Sequence, residues 1–309
     1  MSAMTHVGED SPRASAASTS TGSDLGGKSS SRAIRDQAAR IIMWTAFGIA
    51  VIPLIWILAS TILKGGHMLA SVDWWTLSQN GITARREGGG AAHAIQGTLM
   101  QGAVTALMSV PIGVLTAIYL VEYGRGRLAK VVSFMVDILT GVPSIVAALF
   151  IYALWVTTFG FQRVPFAVTL ALVLLMIPTI VRSTEEMLKL VPNELREASY
   201  ALGVPKWKTI VSIVLPTAFS GIVTGILLGL ARVMGETAPL IILGPYAKSM
   251  ASNLFGGLMG TLPTMINQDR TEALQPAIDR VWGAALTLIL IVFVLNLLGR
   301  FLGRFSKVS

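Results

Sequence analysis

The sequence contains no cysteine, so disulfides, zinc–thiolate centres and a cysteine nucleophile are excluded. Histidine is almost missing too. His6, His67 and His93 are scattered, with none of the spacing a metal site needs. There is no Gly-x-Ser-x-Gly elbow to present a serine nucleophile. Nothing points to covalent catalysis, and no catalytic or metal-binding residue is expected. Charge is scarce as well: Asp, Glu, Lys and Arg make up 13% of the 309 residues, about half the usual share. What the chain has instead is apolar bulk. Hydrophobic residues reach 53% and glycines number 30, and the mean hydropathy is +0.68. Such a composition suits closely packed membrane helices.

The net charge is +8. In a soluble chain that would suggest nucleic acid. Here the basic residues flank apolar runs, and no nucleic-acid partner is expected. Residues 1–31, rich in Ser, Ala, Thr and Gly, are expected to form a disordered cytoplasmic tail, since they carry too little apolar surface to offset the cost of ordering. They lack the apolar core of a signal peptide. Within them Gly22, Gly27, Lys28 and Ser29 match the pattern G-x-x-x-x-G-K-[ST]. A phosphate loop must follow a strand and open a helix. No strand-like segment precedes this one, so the match is ascribed to chance; if nucleotide matters to this chain, another chain must bind it.

From residue 32 onward the chain reads as one membrane domain, 32–309. Uncharged runs cover 41–63, 94–121, 164–181, 209–231 and 281–299, and a sixth run, 131–160, is interrupted only by Asp137. The first has 23 residues, or about 35 Å of helix at 1.5 Å per residue, enough to cross a hydrocarbon core. Six spans are expected, all helical, because lipid leaves an open backbone unsatisfied. The fold class is therefore an all-α integral membrane protein. Residues 237–262, studded with Gly and Pro, are expected to be interfacial or re-entrant. Placing the amino terminus inside puts sixteen of the 24 Lys and Arg residues in inner segments and seven in outer ones, with Arg232 inside a span. This bias predicts both termini in the cytoplasm of a multi-pass plasma-membrane protein.

Between the fourth and fifth spans lies "VPNELREASYALGVPKWKTIVSIVLP", 191–216. Pro192 suits a first helical turn, and Glu194 and Glu197 favour a helix amino end. Leu195, Ala198, Ser199 and Leu202 recur at helical spacing, and Gly203 and Pro205 supply the stop. The pattern predicts a short amphipathic helix over about 192–203, able to lie on lipid or to dock in a groove of a partner protein.

This stretch resembles the E-A-A-x3-G-x9-I-x-L-P loop of ABC importer permeases. Glu197, Ala198, Ser199, Gly203, Ile213, Leu215 and Pro216 stand at that spacing, and only the third position departs, Ser for Ala. "VRSTEEMLKLVPNELREASYALG" and "ARVMGETAPLI" look most like the phosphate-specific, PstA-type branch. The resemblance spans about 32–309 and implies a type I importer architecture. It further implies a coupling helix seated in a cytoplasmic ATPase and a second, PstC-type permease. A PstB-type ATPase dimer holding ATP and magnesium and an external PstS-type phosphate-binding protein complete the implied assembly. No cofactor is implied for this chain.

Charges within spans are costly and mark pathways. Gly221, Gly225 and Gly229 form a small-residue ridge. Arg232, seven residues after Gly225, is expected on that packed face, with Glu236 one turn further on. Arg182 and Glu185 share a face at the end of span four, four residues beyond Pro178. Asp137 is expected only to pair or to snorkel. A guanidinium suits a tetrahedral oxyanion. A carboxylate beside it accepts a hydrogen bond from protonated phosphate and repels sulfate, which has no proton to give. The family resemblance likewise implies a transport role for Arg182, Glu185 and Arg232. The expected function is inward phosphate transport. Alternatives are import of another oxyanion, sulfate or molybdate, a non-transporting phosphate sensor or scaffold, and an intramembrane enzyme with Glu185 or Glu236 as base.

Overall fold

In the computed structural model residues 30–305 are described, Pro245 and Ser252 excepted. The tail through residue 29, with its phosphate-loop pattern, lies outside the described residues. All regular structure among the described residues is helical. In chain order the helices are α1 (Ser30–Leu69), α2 (Val72–Thr76), α3 (Ala92–Ile118) and α4 (Gly126–Gly141), then α5 (Ser144–Tyr152), α6 (Pro165–Lys189), α7 (Asn193–Ala201) and α8 (Lys206–Thr209). They continue with α9 (Leu215–Met234), α10 (Ala238–Leu243), α11 (Leu262–Asp269) and α12 (Gln275–Phe305). Three wider, π-helical turns extend α3 (Tyr119–Tyr123), extend α5 (Ala153–Thr158) and join α8 to α9 (Ile210–Val214).

Among the described residues five helices are long and apolar enough to cross a bilayer: α1, α3, α6, the α8–α9 unit and α12. The sixth expected span, 131–160, is not one straight helix. It is α4 and α5, bent by 106°. Pro143 has no N–H to continue the α4 ladder and holds Val142 before it in extended backbone, ψ 124°. The chain restarts at Ser144 with Pro143 as its N-cap. The described residues of 237–262 contain no spanning helix, only α10, connecting loop and the first residue of α11.

The chain divides into two compact units, 1–56 and 57–309. The first is represented among the described residues by the leading part of α1, apolar and largely exposed. In the second, α6 is central. Its most apolar window is 56% buried, against 17–28% for α3, α9 and α12. Small residues allow that centrality. Gly113 of α3 lies against Ile180, while Gly221, Gly225 and Gly229 of α9 meet Met187, Ser183 and Thr179 of α6. Around these contacts Met176, Ile180, Val181 and Leu188 are fully buried.

The glycine ridge has a measurable consequence. A side chain at Gly225 would run into Cβ of Ser183, so Gly225→Val must push α6 and α9 apart. Overpacking of this kind costs about 1–3 kcal/mol. The thermal midpoint of the detergent-solubilised chain is expected to fall by several degrees, whereas Gly66→Ala, where a Cβ meets nothing within 4 Å, should not lower it.

The end of the second unit away from α7 is tied by buried polar groups. Arg280 and Asp269 are almost fully buried and pair at 3.3 Å. Arg280 also donates to the carbonyls of Arg86 at 3.0 Å and Thr83 at 3.4 Å. Gln79 donates to Asp269 at 3.3 Å and accepts from Tyr246 Oη at 3.4 Å. Burial, reinforced by the Asp269 charge, pushes the Tyr246 phenol up, so it remains a donor. These bonds fasten the loops 77–91 and 244–261 to α11 and α12.

Candidate functional site

α6 does not stop at the end of the uncharged run. It continues two further turns through Arg182 and Glu185 to Lys189, which puts all three on helical spacing. The Arg182 guanidinium reaches Glu185 Oε2 at 2.6 Å, and Lys189 Nζ reaches Glu185 Oε1 at 2.7 Å. Arg182 also pairs with Asp137 of α4 and donates to Ser133, at 3.3 Å to its carbonyl and 3.2 Å to its hydroxyl. Asp137 does pair, as expected, but its partner makes it part of the cluster. Two cations and two carboxylates here balance, so an incoming anion competes with the carboxylates for the guanidinium. Asp137, the more exposed of the two acids, is the one at the rim.

Arg232 and Glu236 stand differently from expectation. Arg232 is exposed, and the ridge continues through buried Val233 instead. Packing that follows i±4 ridges drifts around the helix, so the contact line runs 221, 225, 229, 233 and leaves Arg232 to one side. Glu236 is not one turn further on the same helix. α9 ends at Met234, Gly235 is its C-cap, and Glu236 is half-buried in the turn that follows. Among the described residues Arg232 has no ion pair, and the structure does not bring it to Arg182. The register of α9 on α6, with Gly225 level with Ser183, places Arg232 about seven residues further along α9. That is about 10 Å from the level of Arg182. The two arginines are separate stations. A groove of about 470 Å³ between α6, α9 and α12 is lined by Ser183, Glu186, Thr224 and Arg300, but by neither station.

The predicted amphipathic helix is α7, with Pro192 as N-cap. Gly203 adopts φ 76°. Its N–H bonds the carbonyl of Tyr200 at 2.9 Å, and the N–H of Val204 bonds that of Ser199 at 3.1 Å. These two bonds are a Schellman closure, and the left-handed residue within it favours glycine. Leu195, Ala198 and Leu202 form an exposed face, Leu202 at 83%. Glu197 is exposed as well. Ser199 departs from the expected face. It is buried and hydrogen-bonds Thr209 of α8 at 2.8 Å. Ile213, Leu215 and Pro216 are half-buried at the root of α9, away from the exposed face.

Sequence reasoning passed over what holds α7 in place. Arg196, also on α7, pairs with Glu122 in the wide turn after α3, Nη2 to Oε1 at 3.0 Å. Lys206 donates to the Glu122 carbonyl. A signal was available: Glu122 is the only acid between Glu87 and Asp137, placed where the basic bias alone would predict none.

Residues 109–307 match the family model described as "Binding-protein-dependent transport system inner membrane component". The chain is 53% identical over 268 residues to a "Phosphate transport system permease protein PstA" of Mycobacterium leprae, covering 87% of this chain and 88% of the relative. It is 42% identical to the protein of that name from Yersinia pestis, covering 80% and 82%. Among solved structures it is similar in fold to a chain of a bacterial alginate ABC transporter, with TM-score 0.64, 15% identity, and 89% and 97% covered. It is also similar to a chain of the inward-facing MetNI methionine ABC transporter, with TM-score 0.60, 20% identity, and 70% and 95% covered.

Proposed function

Because the chain belongs to the inner-membrane components of binding-protein-dependent transport systems, among the PstA phosphate permeases, we propose that it carries phosphate inward by alternating access driven from α7. In this account α7 lies in the cytoplasm, both termini are on that side, and the Leu195–Leu202 face seats in a PstB-type ATPase that holds ATP and magnesium. A related PstC-type permease completes the path, and a PstS-type protein delivers phosphate from outside. This chain does no chemistry of its own.

The carrying observation is the two-sidedness of α7: one face stands apolar and free, while the other is fastened to the roots of the spans by Arg196 and Ser199. A lever needs one side to be pushed and another to transmit. Arg232, unpaired among the described residues, serves as one station and Arg182 as the next. At Arg182 an oxygen of phosphate takes the place of the Asp137 carboxylate on the guanidinium fork. The phosphate O–H donates to the carboxylate that remains near it. Sulfate has no such proton and meets only repulsion. The competing carboxylate then returns and the anion leaves, so binding stays weak enough for passage. We assign Glu236, four residues beyond Arg232 in the turn after α9, to the same station.

Reconstitution of the four components in proteoliposomes tests this. ATP-dependent uptake of radiolabelled phosphate is expected, with no loss under tenfold excess sulfate. Uptake without the ATPase, or its suppression by sulfate, would overturn the proposal.

A further inference from the structure

We infer that Glu122 and Arg196 form the joint through which movement of α7 enters α3, making Glu122 a positioning residue for transport; this rests on α7 being the helix that docks the ATPase. Arg196 is the hub. Its Nε and Nη2 donate to Glu122 Oε1 at 3.1 and 3.0 Å. Its Nη1 donates to the Val191 carbonyl at 2.7 Å and to Asn193 Oδ1 at 3.3 Å, and Nη2 to the Leu188 carbonyl at 2.9 Å. Leu188 lies in the last turn of α6 and Val191 just beyond its end, where the carbonyls carry the negative end of the helix dipole. One guanidinium on α7 therefore grips α3 and α6 together.

The grip on α3 is doubled. Lys206, in α8, donates to the backbone carbonyl of Glu122 and lies 4.9 Å from the centre of the Tyr123 ring. Ser199 to Thr209 joins α7 to α8, which leads into α9. Glu122 itself is 8% exposed. A buried carboxylate is costly to leave without its partner, so this contact holds rather than slides. Its position in a π-helical turn matters as well. There the chain runs i→i+5 and the ladder is looser than in an α-helix, a place where a span can yield locally. The ion pair attaches α7 within that turn, at Glu122, so displacement of α7 enters α3 through its carboxyl-terminal end. Without the pair, only the Lys206 bond from α8 to the Glu122 backbone still ties this end of α3, and α7 gains freedom to move against it.

The test uses the full four-component complex. For Glu122→Gln, ATPase binding and basal hydrolysis are expected to persist while phosphate moved per ATP falls about tenfold. Because the chain has no cysteine of its own, spin labels can be placed at Leu115→Cys on α3 and Ala201→Cys on α7. Their separation should stay constant on ATP binding in the parent and change in Glu122→Gln. An unchanged transport ratio, or an α3–α7 separation that responds to ATP equally with and without the Glu122 carboxylate, would overturn the inference. If Glu122→Gln does not accumulate, Glu122→Asp, which keeps the charge but retracts it by one methylene, takes its place with the same readouts. Failure of the docking premise would look different: Leu202→Asp would leave the ATPase bound.

Discussion

Arg182→Gln is expected to lower phosphate uptake about a hundredfold or more, while the assembled complex still binds its ATPase. The change removes a guanidinium that makes bonds to Glu185, Asp137 and Ser133. Charge-assisted bonds are worth about 1.5–3 kcal/mol each, so a phosphate that takes over the Asp137 bond loses roughly ten- to a hundredfold when the guanidinium goes. The variant has a second effect of the same sign. Asp137 loses its cation and Glu185 keeps only Lys189, which turns a balanced cluster into a net negative one. Arg182→Lys retains the charge without the fork and should restore transport only in part. Asp137→Asn removes the competitor while sparing the guanidinium. There the anion should be held longer, with a lower apparent KM and a lower maximal rate. Radiolabelled uptake across a phosphate series reads all three. Arg182→Gln uptake within threefold of the parent would remove Arg182 from the path.

The second large effect is expected at the other end of the transmission. Leu202→Asp should weaken association with the ATPase subunit roughly a hundredfold, since a charge at the core of an interface must be desolvated without a partner. Leu202 makes a clean probe because its side chain stands away from the rest of the chain. The fold therefore loses nothing when it changes, and any loss belongs to docking. Gly203→Ala offers a contrast. Its φ of 76° strains any residue with a Cβ, so the end of α7 should shift, with a smaller loss of docking, about 1 kcal/mol. Co-purification of the ATPase in detergent measures both. A Leu202→Asp chain that retains its ATPase fully would place the docking face elsewhere.

Much of α7 was legible in its own residues. Pro192 and Gly203 bound it, and the Schellman closure needs only the local chain. The glycine ridge of α9 was legible for the same reason, since small residues four apart make a groove whatever fills it. The break at Pro143 follows from the proline's own chemistry, but its 106° angle does not. The bend angle depends on what α5 packs against, and that information lies far from the proline. Arg232 shows where periodicity runs out. Counting at 100° per residue puts it near the face of Gly225, yet the inclined path of ridge packing buries Val233 and exposes Arg232.

By itself the sequence determined that this chain lives in lipid as helices, how many apolar runs it has, and where a short helix interrupts them. Those properties follow from water exclusion and from local backbone chemistry, which act on each segment separately. Only the tertiary structure decided that Asp137 meets Arg182 and that Glu122 meets Arg196, pairs separated by 45 and 74 positions. Which charge finds which partner depends on the rotation and register of one helix against another. Those are set by contacts as small as Gly225 on Ser183, and no single segment carries them.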